Sequence, residues 1–235
     1  MTSKVLSATI FCAALFALPA AHAVDPGEID TFSSGLEGWF AGGGPSGGVP
    51  GVPPTVSATG GPAGAGDSFL VLTADGSNGP GGRLVGMNAA QWAGNYTAAG
   101  IGAIAMDLRN LGDTPLSIRL YFEDPIPLPP ANEAVTSDAV LLAPGSGWTH
   151  AVFPISTATL MSLQGSTSTL LAHTTVLRIF SGVDADFPPA RIAGVLGVDN
   201  IQAIAAVPEP STLALFAGGL GWLALRARRR RVRGS

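Results

Sequence analysis

The central 183 residues of this chain, 24–206, predict an all-β fold of two packed sheets. The prediction rests first on composition. The chain has 32 glycines and 19 prolines, charged residues make up only 12%, and helix-forming Lys, Glu and Gln are scarce. It rests second on pattern: short apolar or alternating runs recur between turn residues, and no helix-length amphipathic period stands out.

The elements follow in chain order. Residues 1–23 read as a secretory signal helix. Lys4 supplies the positive start, residues 5–18 are mostly apolar, Pro19 ends that run, and Ala21-His22-Ala23 places small residues where a signal peptidase cuts, at Ala21 and Ala23. A buried N-terminal helix or a membrane anchor is the competing reading. The apolar run is short for the about 20 residues that a span needs. Cys12, the only cysteine, lies within this segment, so the body has no disulfide and no thiolate site.

Thr31-Phe32 and Trp39-Phe40 belong to the first expected strands. Residues 41–66 hold ten glycines and five prolines, which predicts a long flexible loop inserted between strands. Strands are then expected at 68–73, 101–108, 116–122, 139–143, 149–154, 175–180, 192–198 and 200–206. Asn110-Leu111-Gly112-Asp113 and Pro144-Gly145-Ser146-Gly147 are turns between them, and the four prolines of 124–130 exclude an inner strand there. Eight to ten such strands make a two-sheet, jelly-roll-like sandwich, with an immunoglobulin-like sandwich as the alternative.

Charge divides sharply along the chain. Lys4 and six C-terminal arginines are seven of its twelve bases. Residues 24–206 keep five arginines against fifteen acids, a net of −10. An acidic body without lysine argues against nucleic-acid binding, which depends on neutralising phosphates.

The chain ends in three ordered parts over residues 207–235. Val207-Pro208-Glu209-Pro210-Ser211 comes first. Residues 212–225 are apolar beyond Thr212, and Arg226, Arg228, Arg229, Arg230, Arg231 and Arg233 close the chain in segment 226–235. The two prolines keep the Glu209 segment extended and accessible to a processing enzyme, and Ser211 can cap the following helix. A helix over 211–225 is about 22 Å long at about 1.5 Å per residue, short of a roughly 30 Å hydrocarbon core. The arginines orient such a marginal transmembrane helix with its C-terminus in the cytoplasm. This set closely resembles PEP-CTERM sorting signals, which exosortases read in bacteria that make extracellular polysaccharide. The match at Pro208, Glu209 and Pro210 is residue by residue. It implies export through the general secretion machinery and signal peptidase, then transient anchoring in the inner membrane. Processing by an exosortase-type enzyme follows, and the product ends on the cell surface or in the extracellular matrix, in association with exopolysaccharide or biofilm.

Three segments of the body resemble bacterial jelly-roll domains of the carbohydrate-binding-module and galactose-binding-like kind. They are Ile29-Asp30-Thr31-Phe32 with Gly35-Leu36-Glu37-Gly38-Trp39, then Trp92-Ala93-Gly94-Asn95-Tyr96 with residues 104–110, and finally Gly197-Val198-Asp199-Asn200-Ile201. In such domains the first and last strands lie together and often share a structural calcium. The resemblance thus makes Asp30 and Asp199 candidate carboxylate ligands. The plainer alternative has Asp30 capping a turn and Asp199 bonding neighbouring backbone. Sugar recognition uses exposed rings with polar handles. Of Trp39, Trp92, Tyr96, Tyr121 and Trp148, the best pair is Trp92 with Tyr96, because their Gly-rich surroundings read as loop.

No catalytic constellation emerges. Beyond the signal only His150 and His173 remain, neither in an HExxH or HxH pattern, and there is no P-loop. Glu123 and Asp124 are adjacent, so on a strand they point to opposite faces and make a poor acid–base pair. The sequence therefore reads as a non-enzymatic surface or matrix protein. A carbohydrate-binding module proper and a polysaccharide hydrolase are the alternatives.

Overall fold

The computed structural model describes residues 24–41, 52–124 and 129–206. The signal segment 1–23 and the sorting tail 207–235, with their expected helices, lie outside the described residues. Among the described residues no helix is long and apolar enough to cross a membrane.

Thirteen strands follow along the described chain: β1 (Ile29–Asp30), β2 (Phe40–Ala41), β3 (Thr55–Ser57), β4 (Phe69–Asp75), β5 (Val85–Asn88), β6 (Ile101–Asn110), β7 (Leu116–Asp124), β8 (Asn132–Thr136), β9 (Val140–Leu142), β10 (Thr149–Pro154), β11 (Leu160–Gln164), β12 (Val176–Ser181) and β13 (Ala193–Ala205). Two short α-helices, α1 (Tyr96–Ala99) and α2 (Thr167–Ala172), and one 3-10 turn at Pro80–Gly82 interrupt them. One sheet has the order β10-β6-β13-β4-β3, with β1 added beside β13. The other has the order β11-β8-β7-β12-β5-β2, with β9 added beside β7. All pairings are antiparallel. The all-β sandwich expectation holds.

Period-two alternation builds the core between the sheets. Ile104, Met106 and Leu108 of β6, Leu70 and Leu72 of β4, and Leu196 and Val198 of β13 point inward from the first sheet. Leu116, Ile118, Leu120 and Phe122 of β7 meet them from the second, with Leu177 and Ile179 of β12. Burying each such side chain stabilises the fold by about 1.5–3 kcal/mol before chain entropy is counted. On β7 and β12 the alternate residues therefore face away from the core, and these define the outer face of the second sheet.

Two expectations change. The runs 192–198 and 200–206 form one strand, β13, which passes through a bulge at Asp199-Asn200. Asn200 adopts φ 50°, and its backbone N–H donates to Asp199 Oδ1 at 2.8 Å. A short polar side chain tolerates that left-handed conformation, so the strand bends instead of ending.

The Gly/Pro-rich loop expected over 41–66 is also not uniformly irregular. Residues 42–51 lie outside the described residues, but β3 pairs with β4, and the turn after it is fully bonded. Gly60 N–H donates to Gly64 O at 2.9 Å, Ala63 N–H to Asp67 Oδ2 at 2.7 Å, and Gly66 N–H to Thr59 Oγ1 at 3.0 Å. The glycines here supply positive φ for a built turn, at Gly60, Gly64 and Gly66.

Candidate functional site

The rings expected to touch a ligand are inside the protein. Trp92 and Tyr96 are both 0% exposed. Asn95 caps the single turn of α1 by accepting from Ala98 N–H at 2.7 Å, and Gly100 closes it in the left-handed region. That turn swings Tyr96 inward, where its hydroxyl donates to Trp92 O at 2.9 Å and its ring meets Phe122 edge-on at 5.6 Å. Burial pushes the Tyr96 phenol above its ordinary range. The structure brings the pair together as core, and a ring without an accessible face cannot stack on a sugar.

The carboxylates expected to share calcium are also engaged otherwise. Asp30 Oδ2 accepts from the indole N–H of both Trp39 and Trp92 at 2.6 Å each, and Oδ1 accepts from Gln91 Nε2 at 3.0 Å. Burial raises the Asp30 carboxyl above its usual range, and the donated hydrogen bonds pull the other way. Asp199 bonds the backbone of Asn200, as the plainer reading had it. Its Oδ2 is buried and unpartnered. Burial, and then the charges of Asp67, Asp107 and Glu37, raise its carboxyl to about 7. Among the described residues no group of three or more His, Cys, Asp or Glu is arranged to hold a metal ion. Asp30 thus forms an indole–carboxylate node with Trp39 and Trp92.

A different constellation stands on the outer face of the second sheet. Alternation places Arg119, Tyr121 and Glu123 of β7 there, with Arg178 and Phe180 of β12 and Glu133 and Val135 of β8. Register then sets them side by side: Tyr121 faces Arg178 on β12 and Val135 on β8, Glu123 faces Glu133, and Arg178 faces Met87 on β5. Arg178 Nη2 donates to Glu123 Oε1 at 2.6 Å, and Tyr121 OH donates to Glu123 Oε2 at 3.3 Å. The guanidinium carbon lies 5.7 Å from the Tyr121 ring centre and 5.4 Å from that of Phe187. Phe187 stacks on Tyr121 at 4.2 Å with an interplanar angle of 20°, and meets Phe180 edge-on at 5.7 Å. Burial, reinforced by the negative charges of Glu123 and Glu133, pushes the Tyr121 phenol above its ordinary range.

Arg178 is nearly buried, and its Nε has no hydrogen-bond partner. A buried donor left unmet costs about 1–3 kcal/mol. Tyr121, Glu123 and Arg178 are themselves buried, with Phe187 over the Tyr121 ring; with that cover removed, carboxylates, a guanidinium, a phenol and a ring face together would suit a neutral polyhydroxyl ligand. Sequence reasoning named Tyr121 among the rings and Glu123 only as a poor catalytic partner, and it passed over Arg178, Glu133 and Phe187. The available signal was the alternation in 116–124, which puts Arg119, Tyr121 and Glu123 on one face.

Residues 206–231 match the family model described as the PEP-CTERM protein-sorting motif. No curated protein sequence matches the chain. Among solved structures, the chain is similar to a family 11 carbohydrate-binding module from Clostridium thermocellum in complex with a beta-1,3-1,4-mixed-linked tetrasaccharide. The identity is 17% and the TM-score 0.51, covering 79% of this chain and 99% of that one. The solution structure of CtCBM11 matches at 14% identity and TM-score 0.50, covering 81% of this chain and 100% of that one. The family 11 module of the cellulosomal cellulase Lic26A-Cel5E of Clostridium thermocellum matches at 15% identity and TM-score 0.50, covering 80% of this chain and 99% of that one. At such identities the likeness shows the fold. The chain thus carries a PEP-CTERM protein-sorting motif behind a jelly-roll body with the fold of family 11 carbohydrate-binding modules.

Proposed function

We propose that this is an exported, non-enzymatic surface or matrix protein whose jelly-roll body binds neutral polysaccharide of the surrounding exopolysaccharide. The sorting motif at 206–231 supports export, transient membrane anchoring and processing by an exosortase-type enzyme. The observation that carries the binding reading is the Tyr121–Arg178–Glu123 group on the outer face of the second sheet, where ring, guanidinium and carboxylate lie together beneath Phe187. A family 11 module of the same fold is known with a beta-1,3-1,4-mixed-linked tetrasaccharide, which makes a glycan of that linkage the first one to test.

The face favours a neutral ligand. Glu123 and Glu133 stand on it and Asp184 lies close enough to Arg119 to act on its charge, while Arg178 is already paired with Glu123. Such a surface repels uronates and sulfated glycans. Hydrolysis needs an acid and a base free to act on one bond, and both Glu123 oxygens already accept hydrogen bonds.

The binding test is a pull-down and titration of the full chain, in mild detergent, against mixed-linkage β-glucan, cellulose, agarose and alginate. Retention on a neutral glycan that Tyr121→Ala abolishes, with alginate unbound, is the expected outcome. Binding to alginate alone, or to none of the four, rejects this face as a glycan site. The sorting arm is read by mass spectrometry of the protein from its native host. A C-terminus still ending at Ser235 rejects processing.

A further inference from the structure

The position over Tyr121 is not empty. Phe187 lies parallel to that ring at 4.2 Å, the distance and orientation that a stacked pyranose would adopt. It belongs to the segment between β12 and β13, which crosses the outer face of the second sheet.

The segment is fastened at both ends and not in its middle. At the near end Gly182 N–H donates to Ser117 O at 2.9 Å, and Arg119 donates from Nε to Gly182 O at 3.1 Å and from Nη2 to Val183 O at 2.9 Å. At the far end Arg83 Nε donates to Pro189 O at 2.6 Å, and Ile192 N–H donates to Gly82 O at 2.9 Å. Between these ties, residues 184–188 make no hydrogen bond to the rest of the protein among the described residues. The single bond there runs from Phe187 N–H to its neighbour Asp186 Oδ1 at 2.8 Å. Asp184, Asp186 and Pro188 are exposed. What holds the middle down is the set of ring contacts from Phe187 to Tyr121, Phe180 and Arg178, with Ala185 packed against the same cluster. Segments held by few contacts and no backbone bonds open at low free energy.

The second observation is the orphaned donor. Arg178 Nε is buried without a hydrogen-bond partner beside Phe187, whose ring meets the guanidinium only through its π face. A sugar in the same place would present hydroxyl oxygens.

We propose that Phe187 is an internal stand-in for the ligand: residues 184–188 form a strap that occupies the stacking position over Tyr121 and swings away to admit a neutral pyranose. The proposal rests on the glycan-binding reading of this face. Glycan entry exchanges one ring–ring stack for a ring–sugar stack and gives Arg178 Nε an acceptor. The wild-type protein binds with an affinity lowered by the occupancy of the strap.

The test is isothermal titration of the full chain in mild detergent with soluble mixed-linkage β-glucan and hydroxyethyl cellulose. Wild type, Phe187→Ala and Tyr121→Ala are compared, each checked for retained β-structure by circular dichroism. Removing an aromatic pair of this kind should tighten binding by roughly two- to tenfold in Phe187→Ala, and Tyr121→Ala should lose it. Binding that depends on Tyr121 but weakens or stays level in Phe187→Ala overturns the strap and leaves the face intact. Binding unaffected by Tyr121→Ala, or absent in every protein, overturns the face and the strap with it. Should Phe187→Ala fail to fold, hydrogen exchange of the wild type decides: faster exchange at 184–188 with saturating glycan supports displacement, and unchanged or slower exchange refutes it.

Discussion

Replacing Asp30 with alanine should destabilise the protein by about 2–4 kcal/mol, and the size follows from three hydrogen bonds. Oδ2 takes the indole N–H groups of Trp39 and Trp92 at 2.6 Å, and Oδ1 takes Gln91 Nε2 at 3.0 Å. Both indoles are sealed in the core, so neither N–H finds water once the carboxylate is gone. A buried donor stranded in this way costs about 1–3 kcal/mol, or roughly 2–6 kcal/mol for the two. Gln91 suffers less, because its Nε2 also donates to Glu37 O. Part of the loss is recovered, since the buried carboxylate is itself costly, as its raised pKa records. Asp30→Asn keeps an accepting oxygen and should cost about half as much. Urea unfolding followed by circular dichroism measures the change. It should be identical with added calcium and with a chelator, because the node works through indole N–H groups. A cost below about 1 kcal/mol, or one that appears only in the presence of calcium, would refute this reasoning and restore Asp30 as a metal ligand.

Two further outcomes follow from buried contacts. The Asp199 carboxyl is raised from 3.8 to about 7, so the folded state holds that proton more tightly than the unfolded chain. Its contribution is therefore complete below about pH 4 and is lost as pH rises towards 7, at up to about 1.4 kcal/mol per pH unit. Thermal unfolding between pH 4 and 8 should show this slope in the wild type and a flatter one in Asp199→Asn; parallel curves count against it. At Gly197 a Cβ would sit 3.1 Å from Trp148 Cη2 and 3.3 Å from Phe69, whose rings meet edge-on at 5.1 Å. Gly197→Val should thus force the pair apart and cost about 1–3 kcal/mol. A variant with unchanged urea midpoint shows that the rings yield freely.

Trp92 and Tyr96 show where linear reading stops. Glycine and asparagine around them do mark a break between strands. Whether a break lies outside the sandwich or folds over its open end depends on what is left uncovered there. Here Asp30 and Phe122 come from distant positions to receive the two rings. Arg178 and Glu123 illustrate the converse. They are 55 residues apart and unremarkable singly, and only the pairing of β12 with β7 makes them partners.

What is read locally was legible in the chain alone. Period-two alternation marks a half-buried strand whatever its neighbours are, and most long strands stand close to where it placed them. The sorting tail is legible for the same reason, since an extended peptide is recognised residue by residue along the chain. The register between strands came from the folded whole. Register chose which outward side chains meet, made Asp30 an acceptor for two indoles, and set Tyr121, Arg178 and Glu123 together beneath Phe187. A one-residue slip would turn each of those side chains to the opposite face. The physical reason is that pairing is selected by the packed core as a whole, a sum over contacts distant in sequence that no local pattern encodes.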